Sequence, residues 1–199
     1  MILVHVPYRR NAQRENEWPS IGVYLLEILP DGKTQADGGA WAAIAKAQEL
    51  YFQTNHGSES AREYAERIIS RPGKQDGLYW PVGGTNAASP LNGLEDIAKN
   101  AIASAKSGNP PVIDGYEFRI LTAQGDRVTG GAMSYLVDGK LTGGFAVIAS
   151  PVKYGDSGVM TFLMSAAGTV YQKDLGENTA DIAVSMTDYN PGDGWTPAQ

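Results

Sequence analysis

The apolar positions along this chain follow two periods. Over 40–56, Trp41, Ile44, Ala45, Gln48, Tyr51, Phe52 and Asn55 recur at spacings of three and four. That spacing predicts a helix with one core-facing stripe, closed by His56-Gly57. From 115 to 176 the period becomes two. Tyr116, Phe118 and Ile120 alternate with Glu117 and Arg119, which predicts a strand with one apolar face. GGFAVIAS at 143–150 is apolar on both faces and reads as a central strand. VMTFLMS at 159–165 and TVYQK at 169–173 follow it, and Asp138-Gly139-Lys140 predicts a hairpin turn. Connections this short dictate antiparallel neighbours, because a parallel crossover needs a dozen or more residues.

Further helices are predicted over 58–70 and 94–106, with a short one over 179–186 that Asn178 can cap. A long loop, KQDGLYWPVGGTNAASPLNG at 74–93, separates the first two of these. Apolar runs at 1–6 and 21–29 predict strands of an N-terminal arm. The expected fold class is α+β, with an N-terminal helix and further helices packed on a C-terminal antiparallel sheet. Residues 1–38 form the arm and 39–199 the domain.

Composition narrows the function. A chain of 199 residues, 42% hydrophobic and 19% charged, can bury a real core. Its net charge of −6, without a basic block, repels a phosphate backbone, so nucleic acid is not an expected partner. The absence of cysteine excludes thiol catalysis, cysteine-held metals and disulfides. No window approaches the roughly 20 apolar residues of a membrane span. The start, MILVHVPYRRNAQ, lacks the basic, apolar and small-residue order of a signal peptide. Neither a membrane span nor an export signal is expected in the chain as written.

Three constellations could carry chemistry. Gly155-Asp156-Ser157-Gly158 spells the nucleophile tetrad of chymotrypsin-like proteases, whose serine needs a histidine base held by an aspartate. The chain has two histidines, His5 and His56, and neither lies in the histidine motif of that family. A tight turn explains the tetrad better, and no catalytic residue is assigned. Asp76, Tyr79 and Trp80 sit in the long loop, where aromatic rings can form a platform for a glycan or small ligand. Large aromatics are usually buried, so Trp80 also fits a plug between helix and sheet. Burial of both rings would remove the platform. Asp188, Asn190 and Asp193 in TDYNPGDG offer oxygen ligands for calcium, with ordinary Asx turns as the alternative.

GLYWP at 77–81, GYEFRILTAQG at 115–125, GGFAVIASPVKYGDSGVMTF at 143–162 and VYQKDLG at 170–176 resemble a bacterial family, domain of unknown function 2950. The resemblance spans roughly 40–199 and implies an exported, envelope-located protein. A looser resemblance links the chain to type IV pilins and pseudopilins, whose globular heads pair an N-terminal helix with an antiparallel sheet. Ala149, Pro151, Tyr154, Gly155, Gly158 and Phe162 occupy the positions of their A-x-P-x-x-Y-G-x-x-G-x-x-x-F pattern, followed by Gly168 and Val170. These resemblances imply a non-enzymatic periplasmic or secreted protein of pilin-like fold that acts through a protein partner. The alternatives are a small-ligand or glycan-binding module using Tyr79 and Trp80, and a hydrolase using two carboxylates that the fold would have to bring together.

Overall fold

A computed structural model describes residues 38–54, 62–80, 88–91, 102 and 110–198. The predicted strands at 1–6 and 21–29, the helix stop at His56-Gly57 and all but Ile102 of the predicted helix 94–106 lie outside them.

Helix α1, Gly38–Gln53, forms where the three-four stripe placed it. Trp41, Ile44, Ala47, Gln48 and Tyr51 are buried. The Trp41 ring meets Phe118 at 5.3 Å and Phe162 at 6.3 Å between centroids, tilted in both cases. These contacts lay the helix against a sheet.

The helix expected over 58–70 does not form in its described part. Residues 62–65 take no regular secondary structure and lead into β1, Arg67–Ile69, which pairs in parallel with β2, Gly77–Tyr79. Tyr64, Ala65, Ile68 and Ile69 fit either period. The choice is made by partners remote in sequence. The Ala65 amide and carbonyl are both hydrogen-bonded to the Gln48 side chain, and the Tyr64 amide donates to the Leu141 carbonyl at 2.8 Å. Neither backbone group of Ala65 is then available to a helix, and the β-branched pair Ile68-Ile69 suits a strand. Phe52 of α1 stacks on Tyr64, ring centroids 4.5 Å apart.

The main sheet has six strands. β3 (Val112–Ile113), β4 (Tyr116–Leu121), β9 (Ala146–Pro151), β10 (Met160–Ser165), β11 (Val170–Asp174) and β12 (Thr196–Pro197) run in the order β12-β11-β10-β9-β4-β3, each neighbour antiparallel. Two small ribbons precede β9. In one, β5 (Ala123–Gln124) pairs with β6 (Met133–Ser134); in the other, β7 (Leu136–Val137) pairs with β8 (Lys140–Leu141). The Asp138-Gly139 turn joins β7 and β8 with φ of 51° and 76°, the left-handed geometry that such a hairpin demands.

Register assigns the two faces of the sheet. Phe118 pairs with Ala149 and Ala149 with Phe162, so these residues share the face that α1 covers. Arg119, Ile148, Leu163 and Tyr171 lie in register on the other. Helix α2, Thr179–Ser185, covers part of that second face. Its expected cap does not form, because Asn178 makes no side-chain capping bond; the Thr179 hydroxyl instead donates to the Gly176 carbonyl. The far end is held from the sheet. Arg119 Nη2 donates to the carbonyls of Ala183 at 2.6 Å and Met186 at 2.8 Å, a cation on the carbonyl end of a helix. The α+β class and the C-terminal antiparallel sheet are borne out.

Candidate functional site

Asp76, Tyr79 and Trp80 come together at β2, where the two rings differ in exposure. Trp80 is only 3% exposed and belongs to the core, so it acts as the plug. Tyr79 is half-buried against the same core. Asp76 closes the connection from β1 to β2. Its Oδ1 accepts the Arg71 amide at 2.9 Å and its Oδ2 the Arg71 guanidinium. Partial burial works to raise the Asp76 pKa. The bonds from Arg71 and its charge outweigh that and hold the carboxyl below its ordinary value.

Gly155–Gly158 is a turn. The Gly155 amide donates to the Gly158 carbonyl at 2.8 Å, and the Ser157 hydroxyl accepts the Lys153 amide at 3.0 Å. A Cβ on Gly158 would sit 1.9 Å from the Tyr116 hydroxyl, so the glycine is required by close approach. Both histidines lie outside the described residues.

The tail residues face protein partners. Asn190 Oδ1 accepts the Arg127 amide at 3.0 Å, and its Nδ2 donates to Asp126 Oδ1 at 3.2 Å. Asp193 Oδ2 lies 2.8 Å from Arg127 Nη1. Asp188 Oδ1 accepts the neighbouring Thr187 hydroxyl at 3.4 Å. Among the described residues, no group of three or more His, Cys, Asp or Glu side chains is placed to hold a metal ion. Asn190 and Asp193 strap the turn at 125–128 to the C-terminal segment. Gly125 permits this, since a Cβ there would lie 2.2 Å from the Asn190 side chain.

That strap borders a pocket of about 440 Å³ at one end of the sheet. Tyr135, Tyr171 and Tyr189 supply aromatic surface, Gln124 and Arg127 polar ends, and Gly143-Gly144 a backbone wall. Tyr135 lies against that wall, and a Cβ on Gly144 (φ 144°) would fall 3.2 Å from its ring. The Tyr135 hydroxyl donates to Gln124 Oε1 at 3.0 Å, while Gln124 Nε2 donates to the carbonyls of Gly131 at 2.8 Å and Thr129 at 3.2 Å. Both amide hydrogens of Gln124 are thus engaged, and its oxygen orients the ring. The rings of Tyr171 and Tyr189 meet edge-on at 6.4 Å. Burial pushes the Tyr135 phenol up, with a smaller push from Tyr189. Burial also raises Tyr189, against an opposing bond to Ser165, so both stay neutral at ordinary pH.

A family model described as protein of unknown function (DUF2950) matches residues 36–198. The chain belongs to the DUF2950 family. No curated protein and no solved structure gives a match. Among the described residues of this DUF2950 protein, no helix is long and apolar enough to cross a membrane.

The pocket residues of this DUF2950 protein escaped sequence reasoning, because the turn at 124–129, Tyr135, Gly143-Gly144, the β10–β11 hairpin and Tyr189 come from separate stretches. One signal pointed there. The Asx-rich tail was singled out, and it is the strap that closes one side.

Proposed function

We propose that this protein is a non-enzymatic binding module whose site is the tyrosine pocket at the end of the sheet. The observation that carries the reading is the pocket's lining. Three tyrosine rings line an open pocket of about 440 Å³ with no Asp, Glu, His or Cys among the lining residues. That size lies in the range of small-molecule sites, and aromatic walls with a few polar ends are their usual surface. A fragment screen by NMR tests it: bound fragments should shift the Tyr171 and Tyr189 ring resonances, and Tyr171→Ala should abolish the effect. If no fragment shifts either ring, the pocket is not a binding site.

The reading includes a pilin-like head in a periplasmic or secreted protein. Supporting it are α1 laid across one face of an antiparallel sheet and the implied envelope location of the family. Cell fractionation checks the compartment, and recovery with a cytoplasmic marker sinks it. A protein-contact role is the second reading, favoured by Met133, Leu136 and Val137, which are large, apolar and exposed on the ribbons beside Tyr135. Val137→Asp should then abolish partner capture by the tagged protein while leaving the fold intact; unchanged capture would exclude this surface.

A further inference from the structure

The pocket has a cation at its border and a built-in anion already on that cation. Arg127 lines the pocket, and its backbone amide is fixed by Asn190, which is itself tied to Asp126. Its side chain lies along the backbone at Gly192, where a Cβ would come within 2.5 Å of Arg127 Cδ. The guanidinium is therefore positioned before any ligand arrives, which lowers the ordering cost of binding. Its one ion-pair partner among the described residues, Asp193, is 94% exposed at the side chain and sits on the glycine-flanked Pro191–Gly194 turn. An ion pair this open to water contributes little and exchanges readily. Lys173 Nζ donates to the Asp193 carbonyl at 2.9 Å, bringing a second cation to the same spot in a chain whose net charge is −6.

We propose that the pocket receives a small ring-bodied carboxylate, held by the Arg127 guanidinium, and that Asp193 is an internal counter-ion which the ligand carboxylate displaces. This rests on the pocket being a binding site and specifies its ligand class. The planar guanidinium fork matches a planar carboxylate with two parallel hydrogen bonds, and a carboxylate is the group it already meets in the Asp193 pair that the ligand would replace. No Asp or Glu lines the pocket itself, and the carboxylate facing Arg127 is that of the exposed Asp193. The tyrosine rings would take the ring body, and the Tyr171 hydroxyl, which has no hydrogen-bond partner among the described residues, is a further donor. The ring can be a sugar or an arene; both present a flat apolar face to tyrosine.

Titration calorimetry on the full chain with two matched pairs tests this: D-glucuronate against D-glucose, and benzoate against benzyl alcohol. One acid should bind at least about tenfold more tightly than its neutral counterpart, and the pair showing this identifies the ring. Arg127→Gln should remove that preference, and Asp193→Asn should tighten acid binding severalfold, with both variants checked for folding by circular dichroism. Equal binding of acid and neutral partner, or no binding by any of the four, overturns the carboxylate inference. The pocket reading itself is judged separately by the fragment screen. Unchanged acid affinity in a folded Asp193→Asn variant overturns the displacement, whatever happens to Arg127→Gln.

Discussion

Gln48 and Ala65 exchange two hydrogen bonds in the core: Nε2 to the Ala65 carbonyl at 2.9 Å, and the Ala65 amide to Oε1 at 2.8 Å. The side-chain amide imitates a peptide rung and joins α1 to the segment entering β1. Gln48 is wholly buried, so no water can replace it. Gln48→Leu should cost at least about 2 kcal/mol, because two buried backbone groups lose their partners. Urea unfolding measures this; a loss under about 0.5 kcal/mol would mean that the rung contributes nothing.

Gly77 and Gly73 should respond differently to alanine. A Cβ at Gly77 would meet the Ser70 amide nitrogen at 2.6 Å and the Ile69 carbonyl carbon at 2.7 Å, both backbone atoms of the paired segment. Gly73 has φ of 72° and open space around it, so alanine there costs about 1–2 kcal/mol of backbone strain. Gly77→Ala should lower Tm more than Gly73→Ala, since the parallel pair must separate. The reverse order in thermal melts would refute the packing account.

Asp76 ties acid stability to the β1–β2 connection. Its folded pKa is depressed, so the stability it contributes is present above the unfolded carboxylate value of about 3.9 and is lost as pH falls through the folded value. Asp76→Asn should therefore destabilise more at pH 7 than near pH 2. Arg71 is largely exposed, which screens the pair and keeps the effect modest. An equal loss at both pH values would remove the charge from the explanation.

Tyr51 sets an alkaline limit. Burial, with added repulsion from Glu63, Asp76 and Glu66, pushes its phenol up to about 12, and its hydroxyl donates to the Gln75 carbonyl at 2.8 Å. A raised folded pKa means that this contribution is complete below the unfolded value of about 10 and lost as pH rises toward 12. Absorbance titration should show late tyrosines in the native protein, Tyr135 and Tyr189 among them, and one fewer in Tyr51→Phe. Native titration of every tyrosine near 10 would contradict the burial.

Residues near one another in sequence were the legible part. The stripe of Trp41, Ile44, Gln48 and Tyr51, and the alternation of Tyr116, Phe118 and Ile120, are properties of neighbours, and the helix and strands form where those periods occur. Gly155–Gly158 was readable as a turn for the same reason. Tyr64 to Ile69 was not, because its apolar positions satisfy two periods and Gln48, far away in the chain, selects the extended form by occupying the Ala65 backbone. Trp80 could be plug or platform until the fold placed it in the core.

Sequence by itself determined the α+β class and the antiparallel run of β9, β10 and β11, since each follows from short-range pattern, and its spread of motifs carried the family. Tertiary structure alone decided the parallel β1–β2 pair and the site. Tyr135, Tyr171, Tyr189 and Arg127 become one surface only when β4, β9 and β11 take their register and the Asn190–Asp193 strap closes beside them. Contacts between distant segments depend on the whole chain's packing, and no local period records them.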